Sequence, residues 1–344
     1  MVRKMMTTAA VVAAMVGTYA NAQDSTKKTP VSTTTWTGSV DAYYRNDFAG
    51  KASNNLTSFT NSTNSFELGM ASIRVDHTIG KVAATIDLGF GRRANEFSYN
   101  DAGGMTAIKQ AYLSYAVSDK VKFTAGKWAT HIGWELLDAY ANRNYSMSYG
   151  FSYGPFFHTG VKMDVSLGGT SAFMVGIANP TDHVTDTTGK KVFLAQFSTG
   201  TKNGKLKAYL NYQGGTDISQ FDLVLNGTIS SKFAINYDGT IANVAATGHA
   251  WSSNAVYLCF DPTSMFGLTL RGEYFSNKNY AVPAGSMGTS IFVPTLTANI
   301  KIDGSLTIMP EIRMDNAKDA IFMNGKGAAD KTAGNFLIAA TYKF

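Results

Sequence analysis

Apolar and polar residues alternate along most of this 344-residue chain. In the run 82–90, Val82, Ala84, Ile86, Leu88 and Phe90 alternate with Ala83, Thr85, Asp87 and Gly89, and 159–167 and 306–315 repeat the pattern. Successive side chains of a strand point to opposite faces, so each run predicts a strand with one apolar and one polar face. About sixteen such segments can be marked, and fourteen to eighteen strands fit the pattern. The predicted segments are 35–48, 65–79, 81–94, 105–118, 120–128, 156–167, 170–179, 190–199, 204–213, 217–227, 231–239, 249–260, 265–276, 290–302, 304–316 and 334–344.

The last ten residues carry the clearest stripe. Phe336, Ile338, Ala340, Tyr342 and Phe344 alternate with a more polar set. A strand closing a lipid-facing barrel ends this way, and the alternative is an edge or core strand of a soluble β-domain. The terminal Phe344, with Tyr342 two places earlier, also resembles the sorting signal of Gram-negative outer-membrane barrels. We expect this strand to pair with the first one, with Phe344 facing lipid and Lys343 and Thr341 facing the lumen.

The connections alternate in length. Short turns such as Ile79-Gly80-Lys81 and Asp303-Gly304 follow the even-numbered segments, whereas most of the others are longer, as at 49–64, 128–155, 180–189, 277–289 and 317–333. This is the layout of an up-and-down transmembrane barrel with its short turns in the periplasm. The sequence therefore predicts an all-β, antiparallel transmembrane β-barrel.

The N-terminus indicates export. Arg3 and Lys4 precede a short apolar run, and Ala20-Asn21-Ala22 is a small-x-small cleavage site, so residues 1–22 are typical of a signal peptide. The mature chain would begin at Gln23 with a polar lead-in, 23–35, followed by the barrel, 36–344.

The composition is typical of a membrane protein that spans with strands. Charged residues make up 16% of the chain, below the roughly 25% usual in soluble domains. An exported chain without a long apolar helix can span a membrane only with strands, which predicts the bacterial outer membrane.

The polar faces of the predicted strands are charged. An Arg or Lys facing lipid at mid-membrane would cost about 2–4 kcal/mol, so these residues should line a hydrated lumen. The predicted lumen-lining charges are Arg45, Arg74, Asp76, Asp87, Lys162, Asp164, Arg271, Glu273, Glu311 and Arg313. The polar faces together hold about eleven basic and nine acidic residues, which predicts weak anion preference or none. Removal of Arg3 and Lys4 lowers the net charge from +6 to +4, too mild an excess to suggest nucleic acid.

The longest connection, 128–155, follows the fifth strand. Its residues 133–140 could form two turns of helix, and its Trp, Leu and Tyr content indicates packing against another surface. The chain here resembles the OmpL-like putative β-barrel porin family. The resemblance rests on Gly126-Lys127, Gly133-x-Glu135, Asn144, Ser146-x-Ser148 and Pro155-Phe-Phe-His-Thr-Gly160. It implies an outer-membrane porin, and in general porins of sixteen strands the loop after the fifth strand folds into the lumen and narrows it.

The charges of this loop predict a constriction. Folded inward, Glu135 and Asp138 would face basic wall residues such as Arg45, Arg74 or Arg271, and Arg143 lies in the same loop. Opposed charges across a narrow passage create a field that selects permeants by charge. The alternative places both acids on a solvated external helix.

Catalytic and cofactor signals are weak. The five His show no metal-binding spacing, and Cys259 is the single Cys. His158, near Ser146 and Ser148 in sequence, is the one hydrolase candidate, and we interpret it as incidental. We therefore predict no enzyme, cofactor or metal site.

The expected partners are outer-membrane lipid, the barrel-assembly machinery through the C-terminal strand, and small hydrophilic solutes. A homotrimer stays open because its contacts would use ordinary lipid-face residues. Two other functions also stay open. One is a sugar- or peptide-specific channel, suggested by Tyr43, Tyr112 and Tyr209 on predicted lumen faces. The other is a structural or adhesive barrel that acts through its external loops.

Overall fold

Sixteen long strands close into an antiparallel barrel in a computed structural model, which describes residues 30–244, 249–278 and 289–344. This confirms the predicted fold class. The barrel strands are β1 (Ser32–Asp47), β2 (Ser65–Ile79), β3 (Val82–Phe90), β4 (Ile108–Ala116), β5 (Val121–Ala129), β6 (Phe157–Gly168), β7 (Ser171–Ala178), β8 (Val192–Gly200), β9 (Leu206–Gly215), β10 (Ile218–Thr228), β11 (Phe233–Val244), β12 (His249–Phe260), β13 (Phe266–Lys278), β14 (Ser290–Ile302), β15 (Leu306–Ala317) and β18 (Thr332–Lys343). A small hairpin, β16 (Phe322–Met323) with β17 (Ala329–Asp330), lies in the last long loop.

The first and last strands close the barrel. Their register runs from Ser39 opposite Lys343 to Asp47 opposite Asn335. The pairing confirms the expected partnership of the C-terminal strand with the first strand. Tyr342 and Phe344 are exposed on the outer surface, whereas Thr341 is buried on the inside.

Alternation along each strand separates two surfaces. The outward side chains are large, apolar and exposed, as a lipid-facing belt requires; among them are Ile86, Leu113, Leu210, Phe292 and Ile312. The inward side chains are mostly polar. No helix in the described parts of the chain has the length and apolar character needed to cross a membrane.

Several predicted boundaries differ from the structure. The strand predicted over 81–94 ends at Phe90, because a short helix, Arg92–Phe97, follows Gly91. Residues 105–107 belong to a 3-10 turn, Gly103–Ala107, and β11 continues to Val244 rather than ending at 239. The first strand begins at Ser32, inside the predicted lead-in. The predicted signal peptide, the lead-in up to residue 29 and most of the loop 277–289 lie outside the described residues.

The first and last long loops bond to each other. The Asn54 amide donates to the carbonyl oxygen of Met323 at 2.9 Å, and its oxygen accepts from the Met323 amide at 2.9 Å. Phe322 of the small hairpin is buried in an apolar cluster with Ile291 and Ala333. These loops therefore cover part of the long-loop end of the barrel.

Candidate pore constriction

The loop between β5 and β6, residues 130–156, lies inside the barrel. Its aromatic residues pack against rings on strands β1, β12 and β13. The ring pairs are Tyr145 with Tyr43 (centroids 5.3 Å apart), Trp134 with Tyr257 (4.1 Å) and Tyr149 with Phe275 (5.1 Å). The loop is thus held against a wide arc of the wall, and we call it the inward loop.

Wall carboxylates accept hydrogen bonds from the backbone of the inward loop. Four such carboxylates are nearly inaccessible to solvent, and they accept hydrogen bonds from backbone N–H groups that would otherwise be unpaired inside the barrel. The bonds are Gly133 N to Asp222 (3.1 Å), Trp134 N to Asp238 (2.9 Å), Tyr145 N and Ser146 N to Glu311 (2.8 and 3.2 Å), and Tyr149 N and Gly150 N to Glu273 (2.9 and 2.8 Å).

The helix predicted over 133–140 is wrong. Gly133 has a φ of +88°, in the left-handed region, and the backbone of Leu136 bonds to the side chain of Asn142 rather than along a helix. Only a 3-10 turn, Ala139–Ala141, forms nearby. The α-helix of the loop is instead Tyr149–Tyr153, where the Ser148 hydroxyl accepts from the Phe151 amide as an N-cap.

Glu135 forms a buried ion pair with the wall. Its carboxylate lies 2.6 Å from Nη1 of Arg271 on β13 and accepts from the amide and hydroxyl of Ser148, each at 2.8 Å. Glu135 is 3% exposed and Arg271 is 0% exposed. Arg271 also donates to the carbonyl oxygen of Ser146 at 2.7 Å. The pair therefore ties the start of the loop to its middle and to β13.

Asp138 is more accessible. Its carboxylate lies 2.6 Å from Nζ of Lys109 on β4, and its side chain is 22% exposed. Lys109 also pairs with Asp87 at 3.0 Å. Strict alternation would turn Lys109 outward, but the β3–β4 register shifts between Asp87 and Leu88 and turns this lysine inward. The sequence prediction missed Lys109 for that reason.

Arg143 faces the short-turn end. Its guanidinium pairs with Asp261 at 2.7 Å and donates to the Thr269 hydroxyl at 3.0 Å. The arginine side chain is 20% exposed. Nearby, Nζ of Lys343 lies 5.6 Å from the ring centroid of Tyr140, itself an exposed residue of the loop. Asp261 follows β12 in a turn, so the strand pattern did not mark it.

The predicted lumen charges divide into two groups. Six of them are buried: Arg45, Asp87, Arg271, Glu273, Glu311 and Arg313. The other four are partly exposed. Arg74 forms a bidentate ion pair with Asp76, with hydrogen bonds of 2.7 and 2.9 Å, and Nζ of Lys162 lies 3.5 Å from the carboxylate of Asp164. The open charges lie on β2 and β6, away from the wall that the inward loop covers.

Other predicted residues are dispersed. Tyr43 is buried against Tyr145, whereas Tyr112 accepts from Arg74. Tyr209 lines a cavity near the short-turn end. The structure does not unite His158 with a serine nucleophile, since His158 bonds to Thr130 and the Ser148 hydroxyl donates to Glu135.

Two titratable groups flank the inward loop. Asp182, in the loop after β7, accepts from the amides of Phe156 and Phe157 at 2.7 and 2.9 Å, and burial raises its pKa to about 6. Burial also lowers the pKa of His131, at the start of the inward loop, to about 4. Asp182 therefore anchors the end of the loop.

Comparison with solved structures gives the same architecture. OmpT of Vibrio cholerae is 14% identical, with a TM-score of 0.60 over 92% of this chain and 99% of OmpT. The outer membrane channel DcaP of Acinetobacter baumannii is 13% identical, with a TM-score of 0.60 over 91% and 97%. An anion-selective porin from Comamonas acidovorans is 12% identical, with a TM-score of 0.61 over 91% and 100%. At these identities the likeness establishes the fold.

The family is established by sequence. Comparison with curated proteins finds no match. The family model described as putative beta-barrel porin-2, OmpL-like, matches residues 33–344. This match covers the whole barrel and confirms the resemblance drawn from the loop residues. The chain belongs to the OmpL-like family of β-barrel porins and is an outer-membrane channel protein.

Proposed function

We propose that ions and small hydrophilic solutes diffuse passively through the barrel, past the inward loop. The observation that carries this proposal is a cavity on each side of the loop. One of about 770 Å³ lies among the long loops, beside Asn61 and Tyr153. Another of about 430 Å³ lies at the short-turn end, beside Lys122 and Gln196. Partly exposed charges such as Arg74 and Asp76 give the lumen hydrated surfaces.

The three charged residues of the inward loop have different roles in this proposal. Asp138 and Arg143 are partly exposed, so they line the narrow passage and act on permeants directly. Glu135 is enclosed, so it acts on the passage by fixing the loop through Arg271. Opposed charges at the passage would select permeants by charge and dipole.

Liposome swelling with a graded series of neutral sugars tests channel function. We expect small sugars to swell the liposomes and larger ones to fail. No swelling and no ion conductance in planar bilayers would indicate a closed structural or adhesive barrel. Saturable block by one solute would indicate a substrate-specific channel.

Substitutions in the inward loop test the assigned roles of its charged residues. Asp138→Asn and Arg143→Gln should each change single-channel conductance. Unchanged conductance and selectivity in both variants would contradict the assigned roles.

We further propose how the protein reaches and occupies the membrane. Cleavage after Ala22 releases the mature chain, and Tyr342 and Phe344 present the last strand to the assembly machinery. N-terminal sequencing of the mature protein and the membrane yield of a Phe344→Ser variant test these steps. A trimer form of Vibrio cholerae OmpT supports a homotrimer here, which native mass spectrometry from detergent would detect. The protein acts as a channel and not as an enzyme.

A further inference from the structure

The inward loop withdraws acidic side chains from the channel. Five wall carboxylates accept hydrogen bonds from the loop, and none is more than 7% exposed: Asp41, Asp222, Asp238, Glu273 and Glu311. These groups bond to the loop's amides and to the Tyr145 hydroxyl, so permeating ions do not contact them. Direct contact between a permeant and the wall is therefore limited to the charges that stay exposed.

In the described parts of the chain, the partly exposed acids of the lumen have basic partners. Asp76 pairs with Arg74, Asp138 with Lys109, and Asp261 with Arg143. Asp164 is shared by two lysines, Lys122 at 3.6 Å and Lys162 at 3.5 Å, which leaves one positive charge in excess.

Three lysines at the short-turn end lack an acidic partner. Among the residues that the structure describes, no carboxylate lies within ion-pair distance of Lys207 (β9), Lys301 (β14) or Lys343 (β18). Lys207 and Lys343 are exposed, and Lys301 is partly exposed. Each lies within two residues of the end of its strand. The three therefore occupy one level of the barrel.

All three lysines face the lumen. Lys207 lies opposite Asn226, whose amide oxygen accepts from the indole of Trp134 in the inward loop. Lys301 shares a face with Asn299, whose amide donates to the carbonyl oxygen of Arg143. Lys343 lies over the ring of Tyr140.

The space around Lys207 is open to a small solute. Lys207 lines a cavity of about 300 Å³ with Ser198 and Tyr209. Ser198 also lines the cavity of about 430 Å³ that contains Lys122 and Asp164. Hydroxyl groups therefore stand beside Lys207, and both ammonium and hydroxyl groups can donate hydrogen bonds to an oxyanion.

Nearby turns do not offset this charge. The lysines of the turns and strand starts at this end outnumber the turn aspartates that have no basic partner. The lysines are Lys81, Lys120, Lys202, Lys205 and Lys232, and the aspartates are Asp119 and Asp303. A cavity lined by one sign of charge and walled by low-dielectric material concentrates the opposite ion.

We propose that the periplasmic half of the lumen is an anion-binding vestibule centred on Lys207, Lys301 and Lys343, and that it makes the channel prefer anions, with oxyanions such as phosphate binding there. This rests on the proposed channel function. It goes beyond the weak preference that counting all polar-face charges predicts, because the inward loop encloses five wall carboxylates against four basic side chains, Arg93, Lys109, Arg271 and Arg313.

Reversal potentials across a roughly ten-fold KCl gradient test the proposal. We expect wild-type channels to favour chloride. The chloride-to-potassium permeability ratio should be at least about three-fold lower in the triple variant Lys207→Gln, Lys301→Gln, Lys343→Gln. The matched control, Lys81→Gln, Lys205→Gln, Lys232→Gln, removes equal charge from exposed turn residues that line neither of these cavities. It should change the ratio much less. Heat-modifiable migration in gels verifies that each variant has folded.

Inorganic phosphate gives a second readout. Phosphate added from one side at a time should reduce chloride current more from the short-turn side, and the triple variant should lose this block. A cation-preferring or non-selective wild-type channel would overturn the vestibule and leave the proposed function intact. A triple variant with an unchanged chloride-to-potassium permeability ratio and unchanged phosphate block would also overturn the vestibule and leave the proposed function intact. Absence of any conductance in folded wild-type protein would instead refute the proposed function.

Discussion

Glu135→Gln should release the inward loop from β13. The substitution removes the charge that neutralises Arg271 while preserving the shape of the side chain. Arg271 is 0% exposed and would keep its bonds to Ser146 and Thr295, but it would lose its 2.6 Å contact with a carboxylate. Breaking one side of a buried ion pair costs about 3–5 kcal/mol. That cost corresponds to a rise of roughly 150- to 5,000-fold in the undocked population of the loop.

Single-channel recording measures the undocked population. The barrel itself should persist, because its strands are held by their own ladder of hydrogen bonds. We therefore expect normal heat-modifiable migration together with larger and noisier conductance steps. Arg271→Met in the Glu135→Gln background should restore part of the wild-type behaviour, since no unpaired buried charge then stays behind.

A matched surface pair provides the control. Lys190 and Asp217 also lie 2.8 Å apart, but both side chains are about two-fifths exposed. Asp217→Asn should change stability by at most about 1 kcal/mol and leave conductance unchanged. If Glu135→Gln also leaves conductance and its noise at wild-type levels, the pair does not hold the loop and the reasoning fails.

Three further predictions concern the same loop. Lys109→Met should lower the unfolding free energy by about 1–3 kcal/mol in urea titrations, because the buried Asp87 loses its 3.0 Å lysine partner and keeps only Gln110 and the more distant Arg74; an unchanged midpoint would contradict this. Gly69→Val should destabilise loop docking by at least about 2 kcal/mol in amide exchange of the loop, because its Cβ would overlap the Asp41 carboxylate; wild-type exchange rates would refute the overlap. Because the pKa of Asp182 is raised in the folded protein, the folded state holds this proton more tightly than the unfolded chain, and stability falls as pH rises from about 4 to 6. The pKa of His131 is lowered in the folded protein, so the unfolded chain holds that proton more tightly, and stability increases as pH rises from about 4 to 6.5. Relative to wild type, the melting temperature of Asp182→Asn should therefore rise with pH, and that of His131→Gln should fall. Profiles that run parallel to wild type would exclude both groups.

Alternation predicted the wall of the barrel well. Arg271 and Glu273 lie two residues apart on one strand, and this spacing placed both inside without knowledge of any contact. The closure of the barrel followed from the last strand in the same way. These features are local, so a period of two residues is enough to predict them.

Long-range bonds limited the prediction of the loop. The helix expected over 133–140 is absent because the amides of Gly133 and Trp134 bond to Asp222 and Asp238, about ninety and one hundred residues later in the chain. The sequence suggested three basic partners for Glu135, and nothing in the period of the strands distinguishes Arg271 from the others. Lys109 was missed because one extra residue in β4 reverses its direction.

The buried acids change how the charge of this lumen should be counted. An acidic side chain on the wall can attract a cation or accept an amide from the inward loop, and Glu273 and Glu311 accept two amides each. A carboxylate enclosed in this way contributes to loop position and does not contact permeants directly. Under the vestibule proposal, selectivity depends on the lumen charges that the loop leaves open, and in the described part of the chain the ones without an opposite partner there are lysines at the short-turn end. On this proposal, the same contacts that narrow the channel also decide which wall charges a permeant can contact.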